Sequence, residues 1–115
     1  MSTISTHVLD TSRGKPASGV QVDLALQDAD GGWVPLARAW TNEDGRITAP
    51  LLLDGKELEA GTYRLTFETE AYFSALGVKC FYPQVSVVFR IEDAAQHYHV
   101  PLLLSPYGYS TYRGS

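Results

Sequence analysis

Polar and apolar residues alternate along most of this chain with the two-residue period of pleated strands. Ile4, Thr6 and Val8 fall on one side of the first such segment, residues 3 to 10, and Ser5, His7 and Leu9 fall on the other. TSRGKPASG then reads as a turn-rich connection. Val20, Val22, Leu24 and Leu26 next alternate with Gln21, Asp23 and Ala25, as in a strand with one buried face. The glycine-bearing loop DADGG separates this strand from Trp33 to Thr41, which predicts a hairpin. After the turn TNEDG a short strand is expected over Arg46 to Pro50. DGKELEAG leads into a further alternating strand through Tyr63, Leu65, Phe67 and Thr69.

From Glu70 to Gly77 the alternation stops, and EAYFSALG ends on a glycine suited to a helix C-terminus, so one short helix is expected there. Pro83 introduces QVSVVFRI, EDAAQ makes a turn, and His97–Ser105 and Gly108–Tyr112 are the last strands, separated by SPYG. About eight strands and one short helix predict an all-β fold, an eight-stranded antiparallel β-sandwich. The last segment is aromatic and apolar, so it reads as a docked strand and not as a fraying tail.

With 115 residues, the chain is expected to form one domain over 1–115, large enough to bury a core without a metal or disulfide staple. A net charge of −4 and the lack of a basic stripe interleaved with aromatics argue against nucleic acid. No apolar run approaches the length of a membrane span. Cys80 is the only cysteine, so no internal disulfide can form, and a cytoplasmic setting is expected. The N-terminus MSTISTHVLD also lacks the basic and apolar regions of a secretory signal.

Candidate chemistry gathers near the end of the chain. His97 and His99 are two apart on a strand, so they share a sheet face. With His7, the only other histidine, they could hold zinc. Alternatively, neutral imidazoles near their ordinary pKa could act as general bases toward water. Arg46 follows Asp44 and Gly45 just past a turn, where a guanidinium can grip a planar acceptor. Arg113 stands beside the terminal carboxylate of Ser115. DADGG opens like a calcium loop, but its twelfth position from Asp28 is Ala39, where a bidentate glutamate is required. Cys80 has no base near it in sequence and reads as a structural thiol.

STHVLDTSRGKPA, the DGR of Asp44 to Arg46, EAYFSALG and the terminal HYHVPLLLSPYGYSTYRGS together resemble the 5-hydroxyisourate hydrolases, transthyretin-related enzymes of purine breakdown, nearly end to end. The YRGS ending is the most specific element, because transthyretin, a hormone carrier, shares only LLSPYxYST. The resemblance implies the transthyretin-like sandwich and a homotetramer, a dimer of dimers whose facing halves form a channel holding the active sites. It implies catalytic His7, Arg46 and His99, a substrate-binding set of Tyr112, Arg113, Gly114 and Ser115, and a supporting His97. No metal or other cofactor is implied. The implied reaction is opening of 5-hydroxyisourate to 2-oxo-4-hydroxy-4-carboxy-5-ureidoimidazoline. The competing readings are a transthyretin-type ligand carrier and a structural β-sandwich module, which fold alone does not exclude.

Overall fold

The computed structural model describes residues 3–47 and 58–114. Among these, eight strands and one helix run in order: β1 Thr3–Asp10, β2 Lys15–Pro16, β3 Gln21–Gln27, β4 Trp33–Trp40, β5 Gly61–Phe67, α1 Thr69–Ala75, β6 Val85–Ile91, β7 His97–Ser105 and β8 Gly108–Thr111. They form two four-stranded sheets, ordered β2-β1-β7-β8 and β4-β3-β5-β6. The alternation read along the chain becomes the inner and outer faces of these sheets. Ile4, Val8, Tyr98, Val100, Leu102 and Leu104 of the first sheet meet Val22, Leu24, Tyr63, Leu65, Phe67 and Val85 of the second in one buried core. Each such side chain removed from water contributes about 1.5–3 kcal/mol.

The expected sandwich is present, with four local differences. The pairing of β1 with β7 is parallel, the other named pairs being antiparallel. A parallel pair needs a long crossover connection, and here the whole second sheet and α1 lie between the two strands. The supposed connection TSRGKPASG holds the two-residue β2. Arg46 makes one isolated antiparallel bridge to His7, while residues 48–50 of the expected Arg46–Pro50 strand lie outside the described residues. Thr69 opens α1 instead of ending β5, its buried hydroxyl donating to the Tyr82 carbonyl at 2.7 Å.

A bulge between Leu24 and Ala25 breaks the strict period in β3. It leaves both residues buried and turns Leu26 only half inward, because an extra residue on one strand shifts the faces of the residues beyond it. The C-terminus of α1 closes as the glycine predicts. Gly77 has φ 71°, its N–H donates to the Ser74 carbonyl at 3.0 Å, and that of Val78 reaches the Phe73 carbonyl at 2.9 Å. This is the paired closure a left-handed glycine permits. The buried Tyr72 of α1 then donates its hydroxyl hydrogen to Asp10 Oδ2 at 2.8 Å, tying the helix to the end of β1.

Candidate active site

The site is built on the outer face of the first sheet. Along β1 the residues 4, 6, 8 and 10 are buried, and along β7 Tyr98, Val100 and Leu102 are buried. Strand alternation therefore sends Ser5, His7, His97 and His99 outward. The parallel register sets Ser5 opposite His99 and His7 opposite Pro101. Strands from the two ends of the chain thus become neighbours.

Ser5 Oγ lies 3.0 Å from His97 Nε2 and 2.8 Å from His99 Nδ1. The two rings are nearly parallel, with centroids 6.4 Å apart. His7 points toward the turn that carries Arg46, its Nε2 sitting 2.8 Å from the Asp44 carbonyl oxygen. A carbonyl only accepts, so Nε2 is the protonated nitrogen of His7, and in the neutral ring Nδ1 is the basic one.

The turn at Asn42–Arg46 is held by the Asn42 side chain. Its Oδ1 accepts from the N–H groups of Asp44 at 2.9 Å and Arg46 at 3.0 Å. Gly45 sits at φ 73° with its α-carbon packed on the Val8 carbonyl, and its own carbonyl accepts from the Val8 N–H at 2.8 Å. A side chain there would meet both left-handed strain and backbone. The bridge from His7 to Arg46 then fixes Arg46 at the edge of the histidine face, with its side chain exposed.

From the other side the chain end closes on His99. The Gly114 N–H donates to the His99 carbonyl at 2.8 Å, and a Cβ at Gly114 would stand 2.5 Å from His99 Cδ2. Only glycine lets the terminal backbone lie against the imidazole. Arg113 turns elsewhere: its Nη2 donates to Gln96 Oε1 at 2.8 Å, and its guanidinium lies 4.5 Å from the centre of the Tyr98 ring. Tyr112 and Arg113 line a mostly apolar cavity of about 220 Å³ with Val87, Phe89 and Val100. Of the residues expected in the site, His7, Arg46, His97, His99 and Gly114 therefore gather on one face, whereas the side chains of Tyr112 and Arg113 border the gap between β6 and β8. Ser115 lies outside the described residues.

Electrostatics single out His99. Burial first, then the charges of Arg46, His97 and His7, hold its pKa below the ordinary 6.5, with a hydrogen bond to the Ser5 backbone opposing them. His99 is consequently a neutral base at pH 7. Among the described residues, no three His, Cys, Asp or Glu side chains converge as a metal-ligand set. Cys80 is half-buried, and burial followed by Glu70 raises its thiol pKa, which leaves it a poor nucleophile.

A family model described as HIUase/Transthyretin family matches residues 4–114. The chain belongs to the HIUase/transthyretin family. It is 52% identical over 112 residues to a probable 5-hydroxyisourate hydrolase of Caenorhabditis elegans, spanning 97% of this chain and 81% of that protein. The structure of Klebsiella pneumoniae 5-hydroxyisourate hydrolase superposes with a TM-score of 0.83 at 42% identity, covering 98% of this chain and 99% of that one. Sea bream transthyretin in complex with thyroxine superposes at 0.89 with 34% identity, covering 96% and 93%.

For this HIUase/transthyretin-family chain, the matched span includes both halves of the site, from Ser5 to Gly114. Ser5 opens the STHVLD motif, but the resemblance gives it no role. Its signal is present in the alternation, which puts Ser5 and His7 on one side of the first strand, but the strand that lies beside it is set by pairing alone. The arrangement offers a neutral base, a second imidazole with a fixed tautomer and an exposed guanidinium, a set suited to delivering water to a polarised carbonyl.

Proposed function

We propose that this chain is a 5-hydroxyisourate hydrolase, opening the substrate by histidine-activated attack of water on a cyclic amide to give 2-oxo-4-hydroxy-4-carboxy-5-ureidoimidazoline in urate degradation. The observation that carries the reading is the convergence of His7 with Arg46 and of His99 with Gly114 on one sheet face. Its support from relatives is that named hydrolases share about half of their residues with this chain.

In the proposed reaction His99 Nε2 takes a proton from water as the oxygen attacks the carbonyl, a role typically worth about 10² to 10⁴ in rate. His7 holds that water through Nδ1. Arg46 orients the planar substrate and stabilises the oxyanion that forms. The oxyanion then collapses, the carbon–nitrogen bond breaks, and the proton taken from water passes to the departing nitrogen. Gly114 keeps the wall of the site close to His99, and Arg113, clamped by Gln96 and Tyr98, anchors the segment that carries Gly114. Tyr112 belongs to the same anchor. No metal or other cofactor takes part.

The face is open on one copy, with Arg46 and His97 exposed, so water and substrate are not enclosed. A homotetramer, a dimer of dimers, would enclose them, and the edges of β6 and β8, unpaired among the described residues, suit pairing between copies. A single half-buried thiol suits a cytoplasmic setting. The described helix is too short to cross a membrane. A transthyretin-like carrier is the second reading, favoured by the superposition on the thyroxine complex.

The test is the loss of absorbance of freshly generated 5-hydroxyisourate with wild type, His7→Ala and His99→Ala side by side. Accelerated decay with wild type and strong slowing in both variants are expected. Decay by wild type at the spontaneous rate, with thyroxine bound instead, would turn the assignment to a carrier.

A further inference from the structure

The hydroxyl shared by two imidazoles carries a role that the three expected catalytic residues do not cover. Ser5 Oγ is within hydrogen-bond reach of both His97 Nε2 and His99 Nδ1, at 3.0 and 2.8 Å. A serine hydroxyl has one hydrogen to donate, so it donates to one ring and accepts from the other. The two neutral histidines are therefore held in linked tautomers. If His99 Nδ1 donates to Ser5, Ser5 donates to His97 Nε2, and the free nitrogen of His99 is the basic Nε2.

We propose that Ser5 is a positioning residue that fixes Nε2 as the basic nitrogen of His99 and relays the proton His99 gains to His97. The proposal rests on His99 acting as the base toward water. Once His99 has taken a proton at Nε2, it carries hydrogen on both nitrogens. Its Nδ1 proton moves to Ser5 Oγ as the Ser5 proton moves to His97 Nε2. The hydroxyl is regenerated and one positive charge has crossed from His99 to His97. As the carbon–nitrogen bond breaks, the two transfers run in reverse while His99 Nε2 gives its proton to the departing nitrogen, so the starting tautomers return and no oxidant or co-reactant is required.

The direction of transfer is set by the surroundings. His99 is half-buried beside Gly114 and carries the field of Arg46, while His97 is exposed to water. A cation is better solvated on the exposed ring. The parallel register makes the bridge possible, since it places Ser5 opposite His99 with His97 two residues before it on the same face. Both groups also lie on strands of a packed sheet, which holds the two hydrogen bonds in geometry.

Four variants and one spectrum test this. Ser5→Ala should lower kcat roughly tenfold, less than the loss of the base itself because His99 remains, with KM little changed. Ser5→Thr, which keeps the hydroxyl on a β-branched residue suited to a strand, should restore most of the rate. His97→Asn should lower kcat too, and Ser5→Ala combined with His97→Asn should cost no more than the worse single change, because the two act in one path.

Imidazole 15N spectra of the wild type should place the His99 proton on Nδ1 at neutral pH, and Ser5→Ala should abolish that preference. Additive losses in the double variant, equal damage from Thr and Ala at position 5, or a His99 proton resting on Nε2 in wild type would each overturn the proposal. The ring spectra do not depend on turnover. A wild type that failed to open 5-hydroxyisourate would sink the functional reading and the relay, while the same spectra would still decide how Ser5 sets the tautomers.

Discussion

The two outer sheet faces of this sandwich are built from the same alternation, and they use their polar residues in opposite ways. On the second sheet Arg38 Nε meets Asp23 Oδ1 at 2.8 Å, Gln84 donates to Glu68 at 2.9 Å, and the Arg64 guanidinium lies 4.5 Å from the centre of the Trp33 ring. Asp23, Arg38, Arg64, Glu68 and Gln84 line a groove of about 580 Å³, larger than the cavities beside the chain end. Its charged and polar groups largely satisfy one another, with the exception of the buried Arg64 Nε, which has no hydrogen-bond partner among the described residues. On the first sheet His7 is held by a backbone carbonyl and His99 by a neutral hydroxyl, partners that orient a ring without protonating it. Basic nitrogens therefore remain available there. The lesson is that the availability of reactive groups, more than the size of the concavity, marks the site.

The comparison is tested most severely at Arg46. Arg46→Gln removes the proposed oxyanion partner and should cut kcat/KM by about 10² to 10³, with little change in thermal stability because the side chain is exposed. Steady-state kinetics beside a melting curve would check this, and near-normal turnover would detach Arg46 from the chemistry. Gly114→Ala comes next. Its Cβ would push into His99, and since small misplacement of a catalytic group is costly, turnover should fall by roughly tenfold. Unchanged turnover would mean that the chain end moves aside freely. A tag fused after Ser115 should do comparable harm, whereas a tag before Met1 should not.

The pH dependence is a smaller and more specific effect. Because His99 is held below its ordinary 6.5, chiefly by burial and then by Arg46, its neutral form persists into more acidic solution than a free histidine would. The acid limb of kcat/KM should therefore lie below pH 6.5. In Arg46→Gln one of the lowering charges is gone, so the limb of the residual activity should move up toward that value. A wild-type limb at or above it would contradict the electrostatic account. The smallest effect is expected on the other face: Arg38→Gln breaks an exposed ion pair and should leave turnover within about twofold, since such pairs contribute little.

How far the chain could be read depended on what alternation encodes. The period of two revealed which residues share a face, so the common face of His97 and His99 and the separation of His7 from Ile4 and Val8 were legible, as was the helix end at Gly77. Period alone carries no information on which strand lies beside which, or in which direction. The parallel pairing of β1 with β7, and with it the contact of Ser5 with both histidines, was consequently hidden. The bulge at Leu24–Ala25 and the bridge at Arg46 were hidden for the same reason, as products of pairing. The resemblance in YRGS pointed to the chain end as a unit. The fold separates that unit, laying Gly114 on His99 while Arg113 grips Gln96 and Tyr98.

The most direct measurement is a single assay of 5-hydroxyisourate opening with His99→Asn and Asp23→Asn prepared in parallel, one change on each outer face. With the histidine face as the reacting surface, kcat should fall by about a hundredfold in His99→Asn and stay near wild type in Asp23→Asn. Equal rates in the two variants would contradict the account.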